Sequence, residues 1–123
     1  MGEASMRVRV CRAYDEPTES DGTRVLVDRL WPRGLSKDKA RLDEWCKQVA
    51  PSTELRKWYQ HDPDRFREFG RRYRAELLDD ERAQALRHLQ ELAEQGTLTL
   101  VTASKAVDIS EAAVLADLLR SSG

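Results

Sequence analysis

"RVLVDRLWPRG", residues 24–34, is the stretch that decides the fold. Val25, Leu26 and Val27 follow one another with no polar residue between them. That marks a strand buried on both faces, and so a central place in a parallel sheet. The run then breaks into Asp28 and Arg29, followed by bulky Trp31, stiff Pro32, Arg33 and permissive Gly34. Loops beyond the carboxyl ends of parallel strands present charge without burying it, and ligands in open α/β sheets bind there. One stretch thus implies both a strand and the place of a site.

Outward from it, "MRVRVC" (residues 6–11) alternates apolar and basic residues, as a strand with one buried face near a sheet edge does. "EPTESDG" supplies the turn between the two strands, and "GLSKDK" reads as a polar connection. "LDEWCKQV" (residues 42–49) places Leu42, Trp45, Cys46 and Val49 on one face at helical spacing, closed by Pro51. Ser52 is the expected N-cap of a helix over "STELRKWY". In "HDPDRFREFGRRYRAELL", Asp62 as cap and Pro63 at the first helical position start a helix with the apolar stripe Phe66, Phe69, Tyr73 and Leu77. "DDERAQALRHLQELAEQG" carries Leu86, Leu89 and Leu92 and stops at Gly96. "TLTLVTA" (residues 97–103) is a further strand. "DISEAAVLADLLRS" is a final helix with Asp108 and Glu111 spaced as a capping box. It is apolar nearly all round, which places it between sheet and helices.

The expected class is α/β. It combines a small, mainly parallel β-sheet of about three strands with a helical insertion before the last strand and a C-terminal helix. The insertion covers about residues 38–95 of a single domain over residues 1–123. The crossover into the last strand should be right-handed.

Composition bounds the function. The 123 residues are 40% hydrophobic and 35% charged with a formal net charge of -1, so the chain offers no broad attraction to nucleic acid or membrane. No apolar run approaches the ~20 residues that span a bilayer. The start, "MGEASMRVRV", lacks a secretory apolar centre, and Met6 stands where a myristoylation pattern wants Ser or Thr. A cytoplasmic protein is expected, with Cys11 and Cys46 reduced. Metal-ligand spacing, phosphate-cradling loops and nucleophile elbows are all absent, so neither a metal nor a cofactor is implied.

If the strands ending at Asp28 and Thr102 run parallel, their tips share a mouth. Arg29, Trp31 and Arg33 on one side and Ser104 and Lys105 on the other are then the ligand-binding candidates, for a small anion. Asp28 is a catalytic candidate that would orient the arginines or act as a base. The structural alternative is an Asp28–Arg29 ion pair at a strand end, a Pro32–Gly34 turn and Trp31 as a core lid. His61 is the second catalytic candidate, by residue type; a hydrogen-bonding role at its helix start is the alternative. His88 reads as solvent-facing.

Two other functions compete. The insertion could present Trp58 and Tyr59 as anchors to a protein partner. The run "DRFREFGRRYR" could bind nucleic acid through arginines and aromatics. Helical spacing, however, sends Phe66, Phe69 and Tyr73 inward, and nearby acids dilute the field, which argues against nucleic acid.

"DGTRVLVDRLWPRG", "APSTELRKWYQHDPDRFREFGRRYRAEL" and "LTLV…VLADLL" together resemble the YeaO-like bacterial proteins of the domain-of-unknown-function 488 family, from about Arg9 to Arg120. The resemblance implies a small α/β domain with helices inserted before the last strand, and no settled activity. It marks Asp21, Gly22, Arg24, Asp28, Arg29, Trp31, Pro32, Arg33 and Gly34. In the helices it marks Trp45, Pro51, Ser52, Leu55, His61, Phe69, Tyr73, Glu76 and Leu77. Two positions depart from the pattern. Thr102 stands where relatives commonly have Tyr or Cys, and Ser110 with Glu111 where a polar residue and His, often Asn-His, open the last helix. Those changes weaken a catalytic reading more than a binding one. Ligand, reaction and oligomeric state are not written in these residues.

Overall fold

The computed structural model describes residues 7–121, so Met6 and the start of the chain read for targeting lie outside the described residues. Within them, strands β1 (Val8–Arg12), β2 (Thr23–Leu26), β3 (Glu44–Trp45) and β4 (Leu98–Thr102) form one sheet. Its order is β1-β4-β2-β3, and every neighbouring pair is parallel. The helices are α1 (Lys37–Ala40), α2 (Thr53–Tyr59), α3 (Phe66–Glu76), α4 (Asp80–Gln95) and α5 (Glu111–Ser121). The α/β class, the edge place of β1 and the central place of β2 follow the sequence patterns.

Alternation along the strands divides the apolar residues between two faces. Val8, Val25, Val27, Leu98 and Leu100 pack with the helices in the main core. Leu26 and Val101 face the other way, into a smaller cluster closed by Cys11, Trp31, Leu35 and Leu42. Helix α5 lies against β1, β4, α3 and α4 and buries Ala112, Val114, Leu115, Ala116 and Leu119, as its all-round apolar pattern requires. Tyr59 of α2 stacks on Phe69 of α3 with ring centroids 4.1 Å apart. The Tyr73 hydroxyl donates to the Val49 carbonyl.

Caps set the helix starts. Ser52 accepts from Leu55 N–H, and its own N–H and hydroxyl donate to the Glu76 carboxylate, tying the start of α2 to the end of α3. Asp62 caps a 3-10 turn, Pro63–Arg65, that leads into α3.

Three expectations are corrected. Residues 42–49 are not a helix: β3 and a 3-10 turn, Lys47–Val49, occupy the stretch. Asp43 N–H bonds the Arg24 carbonyl and Cys46 N–H the Leu26 carbonyl. Pairing with the open edge of β2 outweighs local helical spacing, and it sends Leu42 to the smaller cluster while Cys46 and Val49 join the main core. The capping box at Asp108 does not form. Residues Val107–Ile109 make a 3-10 turn, and Ser110 Oγ accepts from Ala113 N–H at the start of α5. Finally, "GLSKDK" is not all connection, because Ser36 caps the short α1.

The amino end of β2 is closed by a buried ion pair. Arg24 donates to Asp21 at 2.7 Å and to the Ala40 carbonyl, and the two side chains are only 4% and 7% exposed. Burial acts to raise the Asp21 carboxyl. Hydrogen bonds from the Thr18 N–H and hydroxyl and the Arg24 guanidinium outweigh it and hold the group below the usual range. Gly22 has φ 64°, and a Cβ there would stand 2.3 Å from the Thr97 carbonyl oxygen, so the turn into β2 admits no side chain.

Candidate functional site

The register of β2 against β4 builds the site. Leu26 lies opposite Val101, and Val27 N–H extends the pairing to the Val101 carbonyl. One residue further, Asp28 leaves the ladder. Its Oδ1 accepts from the Thr102 hydroxyl and its Oδ2 from the Ala103 N–H, both at 2.8 Å. The Asp28 carbonyl accepts from the Trp45 indole at 2.8 Å. Asp28 therefore ties the tips of two parallel strands together.

Glu111, at the start of α5, meets Asp28 there. Its carboxyl is pushed well above the ordinary range, first by burial, then by its hydrogen bond to Asp28 and by that group's charge. The raised carboxyl favours a proton shared across that hydrogen bond, with Glu111 as the donor and Asp28 also accepting from Thr102 and Ala103. Below it, Tyr59 donates its hydroxyl to the Ile109 carbonyl at 2.6 Å. Burial first, then the charges of Asp62 and Glu111, raise that phenol to about 12.

Over these groups opens a cavity of about 630 Å³. Arg29 and Arg33 line it from the loop after β2, Arg56 and Lys57 from α2, with Thr102 and Ser104 at the β4 tip. Trp31 and Pro32 form a wall. The wall is held by the Trp31 indole, which donates to the Leu35 carbonyl at 2.6 Å, and by the edge-on contact of its ring with Trp45. The Tyr14 hydroxyl donates to the Arg33 carbonyl and pins that loop at 2.7 Å. Arg56 Nε is buried with no hydrogen-bond partner among the described residues. A buried, unsatisfied guanidinium nitrogen is costly and invites an acceptor.

Most of the residues expected from the sequence converge. Asp28, Arg29, Trp31, Arg33, His61 and Ser104 all line the cavity. Lys105 does not, and is exposed beyond it. Asp28 bonds the β4 tip and not the arginines. His61 is exposed, with φ 56° directly after Gln60 at φ 49°, and its ring lies 5.9 Å from that of Tyr59. Arg56, Lys57 and Tyr59 were not expected here. They lie in the stretch read as a partner surface, and their signal was the N-cap at Ser52, which fixes the phase of α2 and turns Leu55 and Tyr59 inward.

Several residues of the two other candidate surfaces make contacts within the chain. Trp58 has the Arg72 guanidinium 4.2 Å and that of Arg65 5.2 Å from its ring centre, and Tyr59 is buried. On α3, Arg71 and Arg72 pair with Glu68, and Arg74 pairs with Asp117. The cysteine thiols stand apart from the cavity lining. Cys11 and Cys46 are both raised, chiefly by burial, and so resist becoming thiolates. Among the described residues no cluster of three or more His, Cys, Asp or Glu could hold a metal ion, and no helix is long and apolar enough to cross a membrane.

The parallel sheet, with helices packed on it and charged residues at two neighbouring strand tips, makes a small α/β domain. The chain belongs to the domain-of-unknown-function 488 family: the model described as the inactive DUF488-N3 subclade matches residues 7–122. It is 53% identical over 113 residues to uncharacterized protein Rv3073c of Mycobacterium tuberculosis (strain ATCC 25618 / H37Rv), covering 92% of this chain and 93% of that protein. It is 44% identical over 116 residues to uncharacterized protein YeaO of Escherichia coli (strain K12), covering 94% of this chain and 99% of the relative. No solved structure shows a significant match.

Proposed function

We propose that this protein binds a small anionic molecule, without turning it over, in the cavity at the carboxyl ends of β2 and β4. The observation that carries this reading is the buried, unpartnered Nε of Arg56, in a cavity it shares with Arg29, Arg33 and Lys57. Against those cations stands a carboxyl pair that shares a proton, so positive charge is in excess where an oxyanion would sit. Trp31 and Pro32 give it a rigid wall.

Binding is favoured over catalysis by the state of the two acid-base candidates. Both oxygens of Asp28 already accept hydrogen bonds from the β4 tip, so the carboxylate is engaged within the fold. His61 is at the exposed rim beside Tyr59 and outside the carboxyl pair. Glu111 stands where the family's His was expected, and the family description as inactive agrees with a site that has kept its charge and lost its base. A cytoplasmic location fits the free thiols of Cys11 and Cys46.

Thermal unfolding with sulfate, phosphate, nucleotides and small dicarboxylates tests the reading. At least one anion should raise the wild-type midpoint, since a ligand at a hundred times its dissociation constant adds about 2.7 kcal/mol. Arg33→Ala should lose most of that rise. Unmoved midpoints in both proteins would remove the proposal's support.

A further inference from the structure

Glu111 is approached from several elements, and each contributes a different charge. Asp28 faces it from the end of β2, Arg56 and Tyr59 from α2, and Tyr73 from α3. The β4 tip brings no charged group to the cavity, only Thr102, Ala103 and Ser104, and the Thr102 hydroxyl is already given to Asp28. Of these groups, Arg56 is the cation. Its Nη2 reaches Thr53 Oγ1 at 3.3 Å, while its buried Nε has no partner among the described residues. An ionised Glu111 would lie beside the negative Asp28 and draw on Arg56 for compensation. An incoming oxyanion would draw on the same guanidinium. The two demands compete, because one guanidinium compensates a neighbouring carboxylate and an oxyanion together less well than either alone.

The other cations approach from separate directions, Arg29 and Arg33 from the loop after β2 and Lys57 from α2. A planar carboxylate has two oxygens in one plane to offer them. A tetrahedral group presents acceptors on every side.

We propose, resting on the anion-binding reading of this cavity, that Glu111 is a built-in competitor for Arg56, so that a tetrahedral oxyanion and the proton on Glu111 occupy the site together. The proton stays on the Glu111 carboxyl and no bond to the ligand forms. Anion affinity is then highest while Glu111 is neutral and falls once Glu111 loses its proton.

Sulfate is the suitable probe, because it keeps its charge from weakly acid to alkaline solution. Calorimetric titration of sulfate across that range is compared in His61→Gln, which takes the cavity's histidine out of the titration, and in His61→Gln with Glu111→Gln. The first should lose affinity by up to about tenfold per pH unit above the point where Glu111 ionises. The second should stay flat at the level the first shows in acid. Circular dichroism checks that both are folded. Independently of any substitution, sulfate binding to the wild type near that point should take up protons, seen as a dependence of the measured heat on the buffer's ionisation enthalpy. Sulfate binding with the same pH profile in both variants, or with no proton uptake, overturns the competition and leaves the anion pocket standing. Absence of sulfate binding to the wild type at every pH removes both.

Discussion

The two ends of β2 use the same residue types to opposite effect. At the amino end Asp21 and Arg24 are buried against one another, and Gly22 packs on Thr97 too closely for a side chain. At the carboxyl end Asp28 turns to β4 and Glu111, while Arg29, Arg33 and Arg56 line an open cavity. Charge satisfied within the fold is architecture. Charge held in place with a buried nitrogen unpartnered among the described residues, as at Arg56 in the cavity, is what the anion-binding proposal rests on.

The largest contrast should come from deleting one arginine at each end. Arg24→Ala takes from the buried Asp21 its closest cation, leaving the longer contact to the half-exposed Arg9 at 3.4 Å, and should cost about 3 kcal/mol in denaturant unfolding. Arg33→Ala should shift stability by no more than about 0.5 kcal/mol, since the residue is exposed, while losing most of the anion-dependent rise in midpoint. Equal losses of stability would erase the distinction between the ends.

pH sharpens it next, with opposite signs. Asp21 is held below its ordinary range, so its contribution is full above the unfolded carboxyl's value and is lost as pH falls through the folded one. Glu111 is raised. Below the unfolded carboxyl's value it is protonated in both states. Above that value the unfolded chain gives up its proton first, and stability declines until the folded group ionises. Glu111→Gln should remove the decline and leave the protein more stable than wild type at neutral pH, read as the unfolding midpoint in a pH series. A wild-type curve flat from weakly acid to neutral pH, unaltered by the substitution, would contradict the shared proton.

The smallest effect concerns the bend that carries His61 to the rim. Gln60 and His61 hold left-handed backbone one after the other, a conformation that costs an L-residue about 1–2 kcal/mol. Gln60→Gly should relieve part of that cost, offset by the freedom glycine has when unfolded, for a net gain below about 1 kcal/mol. A clear loss would show that the Gln60 side chain is needed there.

Much of this was legible in the residues, for a physical reason. Val25, Leu26 and Val27 cannot sit anywhere but the interior of a sheet, and a parallel neighbour then fixes where Asp28, Arg29 and Arg33 emerge. Trp45 was misread because its spacing from Leu42 and Val49 suits a helix, whereas a two-residue strand is stabilised by long-range bonds to β2 that no local pattern reveals. Arg56 was missed for a related reason: the Ser52 cap marks where α2 begins, but its packing on α3 and its place beside Glu111 are long-range contacts. Ser110 caps α5, where spacing alone favoured Asp108, and that leaves Glu111 to face Asp28.

The central claim is a place, and diffraction from crystals grown in selenate locates it most directly, because selenate mimics sulfate and scatters anomalously. The account predicts an anomalous peak inside the cavity, within hydrogen-bonding reach of Arg56 and lost in Arg56→Ala. Selenate found only on the outer surface, with the cavity free of it in crystals where these residues touch no neighbouring molecule, would contradict it.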